Sequence, residues 1–179
     1  MVQRGNHYEA AFEAYLRKVM VPYVAVDETR RSLSAGGSLK NPDFIVSPGG
    51  TSRSFVVDVK GRRFPSGKQK QYWRNWATLD DLRSLARWEA TFGKQFTGLL
   101  VFAYNIVGDR APLPPDRLFR FRECLYAFVG VKLVHYVGWA HRISERWDTY
   151  AISAARFRDL AEPVDRLFGI KALEDDLGG

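Results

Sequence analysis

Cysteine is almost missing from this chain. Cys124 stands alone, which excludes an internal disulfide and a thiolate metal cluster. A lone cysteine fits a small buried hydrophobe in a reducing compartment. Histidine is nearly as scarce, and His7, His135 and His141 are too scattered to supply a zinc site. No apolar run approaches the ~20 residues that a membrane-crossing helix requires. The opening MVQRGNHYEAAF is charged and lacks the apolar centre of a secretory signal. Internal repeats and low-complexity linkers are absent as well. Residues 1–179 therefore read as one domain, expected in the cytoplasm and off the membrane.

What is present is a core and a charge. Hydrophobic residues make up 46% and aromatics 14%, enough to fold and too many for a disordered chain. Lysine and arginine number 27 against 20 aspartates and glutamates, a formal +7. A basic excess points to a polyanionic partner without saying anything about fold.

Tyr8, Ala11, Phe12, Tyr15, Leu16 and Val19 recur at helical spacing, which predicts an amphipathic first helix capped by Asn6. YVAV (23–26), DFIV (43–46) and SFVVDVK (54–60) read as three strands of a meander. Gly36, Gly37 and Pro42 punctuate the link between the first two. A basic, aromatic loop, GRRFPSGKQKQYWRNW, leads to a helix over about 79–92, opened by a Thr78–Asp81 capping box and closed by Gly93. TGLLVFAYNI (97–106) is apolar throughout, as a central strand covered on both faces must be. LYAFVGV and DTYAIS are expected as strands, LVHYVGWAHRI and AARFRDLAE as helices. The sum is an α/β fold, a mixed central sheet with flanking helices.

The strand SFVVDVK carries two opposite charges. Alternation puts Val56, Asp58 and Lys60 on one face and Phe55, Val57 and Val59 on the other, with the apolar set expected to face the core. An isolated D-x-K would be ordinary surface charge. Here Asp43 opens the preceding strand, and an antiparallel return brings Asp43 and Asp58 to the same end of the sheet. Two converging carboxylates tolerate each other around a hard divalent cation. Mg²⁺, for which Mn²⁺ substitutes, takes one or two carboxylates plus phosphate oxygens, and the carbonyl of Val59 offers another oxygen. Lys60 suits the stabilisation of phosphate charge better than the role of base. A metal-bound hydroxide is the natural nucleophile.

NPDFIV followed by VVDVKG, with Asp43 and Asp58 fifteen positions apart, resembles the bipartite signature of the PD-(D/E)XK nuclease superfamily. The helix–meander–helix–strand order is similar to that superfamily's restriction-endonuclease-like core. The resemblance implies Mg²⁺-dependent hydrolysis of DNA phosphodiester bonds, with Asp43, Asp58 and Lys60 as catalytic residues. RGNHYEAAFEAYL is also similar to the start of archaeal Holliday-junction-resolvase-like nucleases, where a glutamate of the first helix completes the metal site. The matching residue is Glu9. That likeness implies branched DNA, a symmetric homodimer and a place in recombination or repair. HYEAAFE further resembles the namesake motif of the bacterial HYExAFE family, a likeness that carries no substrate with it. The signature covers roughly the first hundred residues.

Two glutamates compete for the third carboxylate. On a helical wheel Glu9 lies ~90° from the centre of the apolar stripe and Glu13 ~130°, so Glu9 borders the packed face and Glu13 turns to solvent. Glu9 also has capping-box spacing from Asn6, a role compatible with the first. Around the charged strand, Arg53, Lys60, Arg62, Arg63, Lys68, Lys70 and Arg74 face a single acid, Asp58. Arg62, Arg63, Lys68, Gln69, Lys70 and Arg74 are the candidate nucleic-acid contacts, interleaved with Phe64, Tyr72, Trp73 and Trp76. Trp76, with Tyr72 or Trp73, is expected to pack beneath the loop. Arg117, Arg120 and Arg122 form a second basic cluster, with Arg120 and Arg122 on one strand face. No recognition helix or arm is visible, which favours structure-directed or non-specific cleavage. The alternative is a non-catalytic nucleic-acid-binding module that keeps the nuclease fold. That reading expects one acidic position or the lysine to be lost, and all are present.

Overall fold

The computed structural model describes residues 6–27 and 29–171; Arg4 and Gly5, from the resolvase-like opening, lie outside them. Helix α1 (His7–Lys18) buries the stripe Ala11, Phe12 and Leu16, and the Asn6 Oδ1 accepts the Tyr8 N–H at 3.0 Å as its cap. Strand β1 (Tyr23–Ala25) follows. The link after it, expected to be irregular, is a hairpin of β2 (Arg31–Ser34) and β3 (Gly37–Lys40), closed at Gly37 with φ 113°. Its strands carry one leucine each, too little apolar pattern to announce a sheet. β4 (Phe44–Val46) and β5 (Ser54–Phe64) then complete the expected antiparallel meander with β1.

β5 outruns its apolar stretch. GRRF was expected to begin a loop, but β7 (Phe96–Ile106) pairs in parallel with β5 along its whole length and keeps it extended through Phe64. Between them β6 (Ala77–Thr78) leads into α2 (Leu79–Phe92), which starts at the Thr78–Asp81 capping box and stops at Gly93, φ 92°, as expected. β8 (Phe119–Phe121), β9 (Cys124–Lys132), α3 (Leu133–Trp139), β10 (His141–Ser144), β11 (Thr149–Ala151), α4 (Ala154–Leu160), β12 (Glu162–Pro163) and α5 (Val164–Leu167) finish the chain. The main sheet runs β1-β4-β5-β7-β9-β12, with β8 on β9, and a small sheet runs β10-β11-β6.

Two expectations fail here. The helix expected over LVHYVGWAHRI ends at Trp139, because Ala140 turns extended and His141–Ser144 pairs with β11. Arg122 does not share a strand face with Arg120; it sits in the turn between β8 and β9 at φ 53°.

Helices cover both sides of the sheet. α1 and α5 pack on Val57, Val59, Val101 and Phe128, while α2, α3 and α4 pack on Val56, Phe102 and Tyr104. The face of β5 that carries Asp58 and Lys60 was expected to be the less buried one. It is instead roofed by α2, so both charges lie inside, at 4% and 8% exposure. Among the described residues no helix is long and apolar enough to cross a membrane.

Gly61 sets how closely α1 lies on β5. A Cβ there would fall within the Tyr8 ring, so only glycine lets the first turn of α1 rest flat on the strand. Gly61→Ala is expected to lose about 1–3 kcal/mol through overpacking. Gly138→Ala, at an exposed helical position with nothing within 4 Å, is expected to gain up to ~1 kcal/mol. Urea denaturation of the two variants checks both signs.

Candidate active site

Glu9, Asp43, Asp58 and Lys60 are all buried; Asp58 and Lys60 lie midway along β5, next to the start of β4. Asp43 immediately precedes β4. Its N–H donates to the Val57 carbonyl at 2.9 Å, and its Oδ2 accepts the Val59 N–H at 2.6 Å. The side chain is therefore clamped against β5, close to Asp58. The pairing of β4 with β5 ends at Phe44–Val57, two residues after Pro42, which has no N–H to give.

Glu9 enters from α1. The Asn6 Nδ2 donates to its Oε1 at 3.0 Å, so the residue that caps the helix also orients the carboxylate. Glu13 is engaged elsewhere: its Oε1 accepts from Tyr23 at 3.0 Å and from Arg17 at 3.2 Å. Of the two glutamates, Glu9 is the one whose charge acts on Asp43. His7 meets the hydroxyl of Tyr126 at 2.6 Å.

Asp58 and Lys60 share a face of β5, with Nζ and Oδ2 3.0 Å apart. Two residues that the motif does not contain complete the group. Lys60 Nζ lies 2.8 Å from Asp81 Oδ2, and Lys40 Nζ lies 2.8 Å from Asp81 Oδ1 and 3.6 Å from Asp58 Oδ1. Asp81 thus caps α2 through the Thr78 N–H at 2.9 Å and anchors both lysines. Lys40 is fixed in turn: its N–H donates to the Ser84 Oγ at 3.1 Å, and its carbonyl accepts the Trp88 Nε1 at 3.0 Å. Asp81 was legible only as a cap. Its place on the same stripe as Leu85 and Trp88, at i+4 and i+7, was the signal that it also faces inward. Lys40, three residues before Asp43, had no such signal, since the hairpin that delivers it was not foreseen.

The field divides the site. Burial, then the charges of Asp58 and Glu9, hold the Asp43 carboxyl well above the usual carboxylate range. Burial would raise Asp81 too, but Lys60 and Lys40 overcome it and hold Asp81 well below that range. Burial works against the Lys40 charge, and Asp58 and Asp81 overcome it and push its pKa up.

The donor chemistry suits a hard cation: Glu9, Asp43, Asp58 and the Val59 carbonyl are all oxygen ligands. The mutual repulsion written into Asp43 is what such a cation would relieve. Among the described residues no three acidic, histidine or cysteine side chains ring a common point as they stand; Asp58 is drawn toward the lysines. A cavity of about 10 Å³ beside Asp58, lined by Lys40, Pro42, Asp81 and Ser84, is the size of one water.

The expected nucleic-acid contacts scatter. Arg63 is exposed on the α1 side, and Lys68, Gln69 and Lys70 are exposed in a turn closed by Ser66 and Gln71 past the end of β5. Arg74 pairs with Gln71. Arg62 turns inward: its guanidinium stacks on the Trp76 ring at 3.8 Å, donates to the Gly61 carbonyl at 2.7 Å and also to the Trp76 carbonyl. Burial pushes its pKa down. Trp73 packs on Phe64, Tyr104 and Phe157, as expected for a ring beneath the loop.

The two aspartates make opposite contributions to stability. A carboxyl that holds its proton more tightly folded than unfolded favours folding at low pH, and the favour is lost as pH rises from about 4 through the folded value. That is Asp43. For Asp81 the stability is present above about 4 and is lost as pH falls below it. Asp43→Asn is therefore expected to stabilise the protein at neutral pH, with the gain shrinking toward acid. Asp81→Asn is expected to cost about 3 kcal/mol at neutral pH, where it strands two lysines, with the loss shrinking toward acid. Urea titrations across this range in a chelator test the pair. Shifts of the same sign in both would refute the division.

No family model matches the chain, and no curated protein matches it. Solved structures do. One is the structure of Hjc from Archaeoglobus fulgidus, described as a Holliday junction resolvase from an archaeal hyperthermophile; it is 13% identical, with a TM-score of 0.53 over 92% of this chain and 100% of that one. The likeness to HYExAFE proteins thus rests on motif residues alone. The chain has the mixed α/β fold of that resolvase.

Proposed function

We propose that this protein is a divalent-metal-dependent nuclease that hydrolyses DNA phosphodiester bonds and is directed by structure rather than by sequence. The observation that carries the reading is the burial of Glu9, Asp43, Asp58 and Lys60 around the middle of β5, in a fold shared with a Holliday junction resolvase.

Glu9, Asp43, Asp58 and the Val59 carbonyl would hold Mg²⁺ or Mn²⁺, which when bound supplies Lewis acidity and an activated water. The remaining work belongs to the chain. The Val59 N–H fixes Asp43, and Asn6 fixes Glu9. Lys60, braced between Asp58 and Asp81, stabilises the negative charge that develops on the phosphate oxygens. A donor already aimed in a desolvated site needs no reorganisation during the step. Asp81 is a positioning residue for Lys60, and Lys40 shares the load that Asp81 would otherwise place on Lys60 alone. Junction-shaped DNA and a symmetric dimer belong to this reading through the resolvase likeness.

The test incubates end-labelled four-way junction, flap, single-stranded and linear duplex DNA with the protein in Mg²⁺, in Mn²⁺ and in EDTA. Cutting is expected with either metal and not in EDTA. Asp58→Ala is expected to abolish it while DNA binding persists, and Lys60→Ala to cost on the order of 100-fold in kcat. An active Asp58→Ala would refute the site. Tight binding without cutting under any metal would leave the binding-module alternative.

A further inference from the structure

A second site opens beside the first. The loop 71–76 and the opposite wall formed by Ile143, Ala151, Ile152 and Ala154 enclose a solvent-open cleft of about 450 Å³, within the range of small-ligand sites.

The cleft is rigidly built. Asn75 is buried at 4%. Its Nδ2 donates to the Ile152 carbonyl at 2.9 Å, and its Oδ1 accepts the Ile152 N–H at 2.8 Å, like a rung of a sheet. The Tyr136 hydroxyl donates to the Asn75 carbonyl at 2.6 Å, and the Tyr104 hydroxyl to the Arg74 carbonyl at 2.8 Å. Each bond ties the loop to an element of the core. A cleft fixed this firmly loses little ordering entropy when it is filled.

Its chemistry is flat rings next to positive charge. Tyr72, Trp73 and Trp76 are half-buried lining residues, and Ile143 on the facing wall is 51% exposed. Arg74 lines the cleft, Lys68 and Lys70 are exposed in the turn that leads into it, and the sequence between Val59 and Leu79 holds no acid. A ligand matched to both features carries repeated negative charge and exposed flat apolar faces. Unpaired nucleotides do, whereas a duplex keeps its bases stacked inside. The position is also telling. Arg62 follows Lys60 by two residues on the same face of β5, ~7 Å along the strand, and it grips both the ring and the carbonyl of Trp76. Arg62 thus links the strand of Lys60 to a ring that lines the cleft.

We infer that this cleft binds unpaired nucleotides of a single-stranded segment by stacking their bases against its rings, with the cationic loop on their phosphates. The inference deepens the nuclease reading: the favoured substrate class is DNA whose single-stranded arm, flap or tail leads to the scissile bond. Binding is nonetheless read independently of cleavage.

The experiment uses Asp58→Ala protein in EDTA, with fluorescein-labelled oligothymidylate and with a blunt duplex of equal length, followed by anisotropy. Tighter binding to the single strand is expected, with quenching of tryptophan fluorescence. Ile143→Glu, at an exposed position that the fold does not need, is expected to weaken single-strand binding about tenfold or more while duplex binding stays put. Trp76→Ala should act likewise and Trp76→Phe should largely restore it. Equal affinity for single strand and duplex, or single-strand affinity unmoved by Ile143→Glu and Trp76→Ala, would overturn the inference. The latter result would free the cleft for a protein partner. Cutting by the parent protein with unaltered cleft variants sinks this inference alone. Single-strand binding lost in Ile143→Glu, without cutting by the parent under any metal, sinks the nuclease reading alone.

Discussion

The ion pair between Lys60 of β5 and Asp81 of α2 is the contact on which the rest of the molecule turns. It crosses the interface between the sheet and its helical roof, with Asp58 and Lys40 beside it and both of its side chains buried. Breaking a buried pair of this kind strands a charge at a cost of about 3–5 kcal/mol. The placement of several elements follows from keeping it intact. α2 must begin at Leu79 for Asp81 to reach its third position, and the pairing of β6 with β11, with the Leu79 N–H on the Asp148 carbonyl at 2.9 Å, fixes that start. Lys40 must arrive from the hairpin to satisfy the other oxygen of Asp81, and Ser84 and Trp88 hold its backbone to do so.

The same site holds an unresolved repulsion on its other side. Asp43, Asp58 and Glu9 are gathered closely enough that the charges of Asp58 and Glu9 act on Asp43, which carries the consequence in a raised affinity for its proton. A protein selected for stability alone has an easy remedy in asparagine at that position. On the proposed reading three buried carboxylates there suit a positively charged guest, and function and stability pull in opposite directions at Asp43 and in the same direction at Asp81.

How much of this was legible depends on whether a residue's neighbours were local. α1, α2 and the meander follow from periodicity, the capping box and Gly93, all written within a few positions of one another. The convergence of Asp43 with Asp58 follows from antiparallel return alone, and the preference for Glu9 over Glu13 from the helical wheel. Lys40 was invisible because a hairpin with one leucine per strand has no pattern, and because its partner Asp81 lies forty-one residues away. Arg62 was misplaced for a related reason. The parallel pairing with β7 extends β5 through Phe64, so a residue expected in a solvated loop takes an inward position on a strand. The failures after Arg120 have a different origin: LVHYVGWAHRI is amphipathic enough for a helix, and only the pairing of His141–Ser144 with β11 overrides that preference.

One face of one strand then orders the chemistry. Along β5, Asp58, Lys60 and Arg62 point the same way at ~7 Å intervals, a carboxylate, an ammonium and a guanidinium in sequence. The carboxylate belongs to the group that would hold a cation, the ammonium stands between Asp58 and Asp81, and the guanidinium lies on Trp76 at the mouth of the cleft. The charge on this face runs from negative to positive toward the cationic loop. Because strand spacing is fixed by covalent geometry, the distance between the two sites cannot drift. Gly61, between Lys60 and Arg62, lets Tyr8 and hence Glu9 close over the same segment from the opposite face. The segment from Lys60 to Arg62 thus packs against α1 through Gly61 on one face, and against Asp81 and Trp76 on the other.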